Sequence, residues 1–198
     1  MEVLKKYLCV AFLILVFSPI QAQERHEYEI TIAGFSIGGM TATKTLKGDT
    51  TTYLLTSKVS LWLFGQINID YVTDVKYVGN RFIRSTVSSQ TNRGNFLSRI
   101  WLQDGAYQVD AKSYKYELET MIHENIDYSA VRLFFEEPNG RKKMIAENYG
   151  VFGTIKNLGS SGYETLANGN KNRYTYLDGK LLRAVMHSPV KNYVIKRR

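Results

Sequence analysis

Four polar side chains near the middle of the chain are the residues best suited to chemistry. Arg132 precedes the pair Glu136 and Glu137, and Glu147 follows after a short segment. Two glutamates that face one cleft are what hydrolysis of a glycosidic bond requires, and an arginine can orient a carboxylate through two hydrogen bonds. A glutamate near an arginine is more often an ordinary ion pair. The sequence therefore predicts a structural polar cluster of Arg132, Glu137 and Glu147, with a carboxylate-dependent hydrolase as an alternative.

Other kinds of reactive site have little support in the sequence. The three histidines, His26, His123 and His187, lack the His-x-His or His-x-x-x-His spacing that directs two imidazoles toward one metal ion. The sequence contains neither a Gly-x-Ser-x-Gly nucleophile elbow nor a glycine-rich phosphate loop that opens a helix. We therefore expect no catalytic residue, no metal and no cofactor, and we predict that the protein is not an enzyme.

The elements that must position these side chains are predicted to be antiparallel strands. Tyr, Val, Ile, Thr and Phe are frequent, and turn dipeptides such as Asp104-Gly105 and Asp178-Gly179 recur at short spacing. The longest alternation places apolar side chains on one face of residues 53–77, and Gly65 is predicted to interrupt it as a turn or bend. We predict a mainly β protein, an antiparallel meander of about ten strands that forms an open or flattened β-barrel with one short helix.

The short helix is predicted at residues 129–135. This run is apolar, it has Asp127 or Ser129 available as an N-cap, and Pro138 follows soon after its end. A helix of about two turns docked on the sheet is favoured there, with another buried strand as the alternative.

Aromatic side chains are candidates to line a ligand cavity. They are Trp62, Phe64, Trp101, Phe134, Phe135 and Phe152. A curved sheet with such residues inside and a short helix across it can hold an apolar or amphipathic ligand. A filled core is the alternative, because aromatic side chains also make cores. The protein would then be a structural or interaction domain that acts through an exposed sheet face around Trp62 and Phe64.

The first 22 residues have the order of a cleaved export signal. Lys5 and Lys6 precede an apolar run at residues 7–17, which is shorter than the about 20 residues that span a bilayer, and Ala22 is a small residue suited to cleavage. We predict a signal peptide at residues 1–22 and a single β-rich domain at residues 23–198, placed in the periplasm or secreted. The only cysteine, Cys9, lies in the signal, so residues 23–198 cannot form a disulfide.

The charge of the chain bears on its partners. A formal charge of +8 favours anionic envelope surfaces such as lipid headgroups. Nucleic acid is not expected, because no recognition motif is present. A barrel embedded in the outer membrane is disfavoured, since the predicted strands carry charge and the chain ends in Lys196-Arg197-Arg198. The expected partners are a lipid-like ligand or an envelope protein, and the sequence does not indicate the oligomeric state.

Several segments resemble a family of exported bacterial proteins described as a domain of unknown function. They are residues 28–38, residues 128–138, Ala146-Glu147-Asn148-Tyr149-Gly150 and residues 168–179. These are helix-end and turn signatures, and the resemblance covers most of residues 23–198. It implies a curved antiparallel sheet or open barrel, similar in shape to lipocalin-like barrels and periplasmic lipoprotein carriers. It implies no activity, ligand or catalytic residue.

Overall fold

One antiparallel sheet contains all the strands of the computed structural model, which describes residues 21–62, 65–92, 94–113, 115–187 and 191–198. The fourteen strands of this described part are β1 (Gln21–Ile32), β2 (Phe35–Lys47), β3 (Thr50–Trp62), β4 (Gln66–Val78), β5 (Arg81–Thr91), β6 (Gly94–Gln103), β7 (Ala106–Ser113), β8 (Tyr116–Ile122), β9 (Lys143–Ala146), β10 (Val151–Gly159), β11 (Gly162–Ala167), β12 (Asn170–Leu177), β13 (Lys180–Met186) and β14 (Tyr193–Arg197).

Two meanders make up the sheet. Strands β1 to β8 pair in chain order, β9 to β14 do the same, and β1 pairs with β14 to join the two. The sheet is not closed, because β8 and β9 are its two edges. The predicted open, mainly β barrel is therefore confirmed. Among the residues described, no helix has the length and apolar character that crossing a membrane requires.

The connections of the sheet alternate between its two ends. In an antiparallel meander every second connection lies at the same end, so those of β1–β2, β3–β4, β5–β6 and β7–β8 lie together. The start of β14 lies at this end too, since Val194 pairs with Thr31 near the end of β1. We call it the mouth end.

The concave side of the sheet holds a segment that we call the plug, residues 126–135. It contains a 3₁₀ helix, Ala130–Phe134, and the side chains of Ile126, Val131 and Leu133 are fully buried. The helix predicted here therefore exists, but as a single 3₁₀ element shorter than expected. Its β-branched and aromatic residues lose rotamer freedom in an α-helix, and 3₁₀ geometry is common in such short pieces. Ser129 just before it forms a parallel bridge with Ile145 of β9.

Aromatic rings form a continuous series across the inner surface of the sheet. The ring of Tyr53 meets that of Tyr77 edge-on at 5.8 Å, Tyr77 meets Phe82 at 5.5 Å, and Phe82 meets Tyr107 at 5.7 Å. Edge-to-face contacts at these centroid distances add to the stabilisation that burial of the rings provides. The inner surface is thus tied together from β3 to β7 by packing, without covalent links.

The apolar alternation of residues 53–77 is interrupted around Gly65, as the sequence predicted. Strand β3 ends at Trp62 and β4 begins at Gln66, and Gly65 between them has a φ of 114°, a conformation that favours glycine. The number of strands exceeds the predicted ten by four, because no strand range was predicted for β8, β9, β10 and β11. The predicted turn at Ser188-Pro189 lies outside the described residues.

Candidate functional site

Glu147 is a buried carboxyl that caps the 3₁₀ helix. It follows β9 directly, and its Oε1 accepts a 2.9 Å hydrogen bond from the backbone N–H of Val131. The residue is only 4% exposed. Desolvation by burial raises the pKa of this carboxyl to about 7, although the hydrogen bond from the backbone N–H of Val131 acts to lower it. Glu147 thus satisfies a helix N–H that the adjacent Ser129 leaves uncapped, since the Ser129 side chain makes no cap bond.

Two tyrosine hydroxyls hold the other end of the helix. Tyr28 of β1 donates a 2.9 Å hydrogen bond to the carbonyl oxygen of Phe134, and Tyr176 of β12 donates one of 2.8 Å to the carbonyl oxygen of Leu133. The last carbonyls of a helix have no partner within it, so these bonds satisfy acceptors that would otherwise be buried alone. Desolvation raises the pKa of both tyrosines, which keeps the hydroxyls protonated as donors.

Arg132 pairs with Glu136, and not with Glu137 or Glu147 of the predicted polar cluster. Its Nε and Nη2 both lie 2.8 Å from Oε1 of Glu136, and its Nη1 donates to the carbonyl oxygen of Asp127. The guanidinium also lies 4.8 Å from the ring centroid of Tyr128 and 5.4 Å from that of Tyr77. The Arg132 guanidinium is therefore held between the Glu136 carboxylate and two aromatic faces, and these contacts fix its orientation.

Glu137 and Glu147 belong to separate contacts. Oε1 of Glu137 accepts a 3.0 Å hydrogen bond from the hydroxyl of Tyr163, which also bonds to Asn139. In the described ranges, no hydrogen bond or ion pair joins Glu137 to Glu147 or to Arg132. The three predicted polar residues therefore stabilise the plug and the segment after it at different points. This arrangement gives the hydrolase alternative no supporting contact.

Two of the six aromatic candidates lie together inside the sheet. Phe134 and Phe135 are buried, and the ring of Phe135 lies 5.2 Å from that of Tyr53 while Phe134 lies 6.0 Å from Tyr28. Both rings therefore pack in the core between the plug and the sheet. Phe152 is half-buried at the edge of the core, with the ammonium group of Lys143 3.7 Å from its ring centroid.

Trp62 and Trp101 do not line the interior. Trp62 is 81% exposed at the end of β3. Trp101 follows the fully buried Ile100, and because neighbouring strand residues point to opposite faces its ring lies on the outer face, where its Nε1 donates to Gln103. The prediction that Trp62 and Trp101 line a cavity is corrected by these positions. Phe64 lies outside the described residues.

Apolar side chains on the concave side continue beyond the plug toward the mouth end. The inward-facing residues of β3 and β4 near the plug are at most 6% exposed, and they are Tyr53, Leu55, Val75 and Tyr77. Nearer the mouth end the inward residues of the same strands are only half-buried, and they are Val59, Leu61, Ile67 and Ile69. These four form two directly opposed cross-strand pairs, and we call them the mouth patch. The alternation in the sequence placed them on the correct face but did not show where the plug would end.

Tyrosine hydroxyls border the mouth patch on its inner side. Tyr71 follows Ile69 on the inner face of β4, Tyr193 begins β14 at the mouth end, and both side chains are half-buried. Desolvation raises the pKa of both, that of Tyr193 to about 12. Both phenols therefore remain protonated at neutral pH and can donate hydrogen bonds. The described residues contain no group of three or more His, Cys, Asp or Glu side chains placed to hold a metal ion.

Comparisons with known proteins agree with this architecture. The chain is similar to a crystal structure of a β-barrel-like protein of the domain of unknown function DUF1849 from Brucella abortus, with 11% identity, 91% of this chain and 98% of that chain covered, and a TM-score of 0.55. At this identity the similarity shows the fold alone. A comparison with curated proteins finds no match. The model of the domain of unknown function DUF6134 matches residues 28–198, so the chain belongs to the DUF6134 family.

Proposed function

We propose that this protein is an exported, non-enzymatic protein of the cell envelope that holds an apolar or amphipathic ligand on the concave face of its sheet. The observation that carries this proposal is the mouth patch, whose side chains point inward but are only half-buried. Small-molecule sites are typically concave and mostly apolar, with a few polar groups that fix the orientation of the ligand.

The polar groups beside the mouth patch suit an amphipathic molecule. The apolar part of the ligand would pack on Leu61, Ile67 and their partners, and a hydroxyl or carbonyl group would accept hydrogen bonds from Tyr71 or Tyr193. Because the plug fills the rest of the interior, the ligand would lie at the mouth end and remain partly exposed. A shallow site of this kind favours an acyl or isoprenoid chain over a large ring system.

The ligand is testable by native mass spectrometry of the full chain purified from its own host. We expect a mass above that of the polypeptide, which returns to the apo value after extraction with organic solvent. Ile67→Glu places a charge in the mouth patch and should abolish the added mass. Asn68→Glu places the same charge on the exposed face of the same strand and should retain it. Wild-type protein at apo mass in every preparation would overturn the proposal.

Export is supported by the charged and apolar order of residues 1–22. Cleavage after Ala22 would remove only the first two residues of β1, which pair with Lys47 and Leu46, and would leave the rest of that strand in place. Mass and N-terminal sequence of the protein from separated cell fractions test this directly. We expect a product that begins near Gln23 outside the cytoplasm. A cytosolic protein that retains residues 1–22 would contradict export.

An interaction domain is a second candidate function, favoured by the exposure of Trp62. It predicts a partner at the outer sheet face and no bound ligand. Native mass spectrometry separates the two, because a constant apo mass together with a specific crosslinked partner would support the interaction domain.

A further inference from the structure

We propose that the mouth end docks on an anionic lipid bilayer by inserting Trp62 and Phe35. Docking is a step beyond ligand binding, because it states where the protein works and which end faces the membrane.

Both side chains lie at the same end of neighbouring strands. Phe35 begins β2 and is 76% exposed, and Trp62 ends β3 and is 81% exposed. They are the two most exposed large apolar side chains of the described residues. Tryptophan and phenylalanine are suited to the boundary between headgroups and acyl chains, since their rings gain from leaving water and the indole N–H can still bond at the surface.

Trp62 lies at the end of the β3–β4 hairpin, level with Phe35 on β2. Pairing between β3 and β4 continues to Trp62 and Gln66, whereas β2 pairs with β3 only as far as Val59, and β5 pairs with β4 only from Ile69. Phe35 and Trp62 each lie three residues beyond the last pair of β2 with β3, which joins Gly38 to Val59. On the other side of the hairpin, the side chain of Asn92 donates a hydrogen bond to the carbonyl oxygen of Gln66.

The charge around this end suits an anionic surface. Lys58 is 87% exposed on β3, Lys115 lies in the turn before β8, and Lys191 lies just before β14. The acidic side chains at this end include Asp70, which is 3.9 Å from the ammonium group of Lys58, and Glu117. In a chain of charge +8, the lysines of the mouth end attract anionic headgroups near the membrane surface.

A lipid surface fits this end better than a protein surface does. A stable protein interface buries about 800 Å² on each partner, and it needs a broad complementary patch. Two exposed aromatic side chains offer little area to a protein partner, but they offer insertion points to a bilayer. Docking in this orientation would also turn the mouth patch toward the membrane, where acyl chains are available.

Tryptophan fluorescence tests the proposal in the full chain, because Trp62 and Trp101 are the only two tryptophans. Trp101 lies near the far end of β6 from the mouth end and serves as an internal reference. The probe is vesicles of phosphatidylcholine and phosphatidylglycerol, with brominated acyl chains as quenchers. Trp101→Phe, which retains Trp62, should show a blue shift and strong quenching. Trp62→Ser, which retains Trp101, should show neither.

Vesicle sedimentation measures the contribution of each ring. Trp62→Ser and Phe35→Ser should each weaken binding about tenfold or more, as expected for loss of one buried aromatic side chain. Leu177→Ser, at the exposed far end of β12, is the matched control and should bind as the wild type does. Added salt and purely zwitterionic vesicles should weaken binding. A folded Trp101→Phe variant whose emission does not respond to vesicles would overturn the proposal.

The proposal of membrane docking and the proposal of a ligand on the concave face can be contradicted independently. Crosslinks from position 62 to a protein, with none to lipid, would contradict docking on a bilayer. Retention of the ligand mass by Trp62→Ser would show that the concave site works without the membrane contact.

Discussion

The backbone N–H of Val131 and the carboxyl of Glu147 are joined by a 2.9 Å hydrogen bond that fixes the plug to the corner after β9. Sixteen residues of chain separate the two, and the connection between them supplies the edge strand β9. Burial raises the pKa of this carboxyl to about 7, so the proton on Glu147 and the stability of the plug are linked.

Glu147 should make the protein less stable as the pH rises. Below its ordinary pKa of 4.5 the carboxyl is protonated in both the folded and the unfolded chain. Between pH 4.5 and pH 7 the unfolded chain loses this proton first, so stability declines as the pH passes through the folded pKa of about 7. Relative to Glu147→Gln, which cannot ionise, the free energy of unfolding of the wild type should fall by up to about 3 kcal/mol.

Urea denaturation across this pH range is the measurement, with Glu164→Gln as a control. The carboxyl of Glu164 has a lowered pKa, chiefly because of the hydrogen bond from Arg173, so its contribution to stability is lost as the pH falls. The wild type should therefore lose stability relative to Glu147→Gln as the pH rises, and relative to Glu164→Gln as the pH falls. Parallel profiles for wild type and Glu147→Gln would show that Glu147 does not titrate with folding.

Removing the hydroxyl of Tyr176 should loosen the plug. In Tyr176→Phe the carbonyl oxygen of Leu133 would be left buried without a donor, which typically costs about 1–3 kcal/mol. Tyr128→Phe is the matched control, because the hydroxyl of Tyr128 is buried with no hydrogen-bond partner in the described structure. Its removal should leave the free energy of unfolding unchanged or slightly raise it. Equal losses in the two variants would rule out a specific contribution from the Tyr176 bond.

The sequence predicted the features that depend on local chemistry. Alternation in residues 53–77 identified the inner faces of β3 and β4, because the side-chain period of a strand is two. The turns at Asp104-Gly105 and Asp178-Gly179 were recognised for a similar reason. All four of these residues have positive φ values, which Asp and Gly tolerate better than most residues do.

Features that depend on contacts between distant segments were not predictable in detail. Arg132 has Glu136 and Glu137 within reach, and only the short 3₁₀ turn decides that it pairs with Glu136. Glu147 was singled out as a reactive carboxylate, but its role as a cap depends on where β9 places it. The mouth patch could not be separated from the core, because the depth of the plug is set by bonds such as that of Tyr28 to Phe134.

Gly150, in the turn between β9 and β10, packs closely against β7. A Cβ atom on Gly150 would lie 2.2 Å from Cγ1 of Val109 and 3.4 Å from Cβ of Ala111, and the residue has a φ of +66°. Gly140 has a similar φ of +71° but open space around it. Alanine at either position carries backbone strain of about 1 kcal/mol. A comparison of the two variants therefore separates the effect of this strain from the effect of the contact with Val109.

Gly150→Ala should therefore lose about 1–3 kcal/mol more stability than Gly140→Ala, because Val109 or the turn must move. Urea denaturation gives the difference between the two variants. Ser98 also donates a 2.9 Å hydrogen bond to the carbonyl oxygen of Asn148 in the same turn, so displacement of the turn should raise hydrogen exchange in β6 and β7 as well. Equal losses in the two variants would mean that the β9–β10 turn moves away from β7 with little penalty, and that the plug is held by its hydrogen bonds alone.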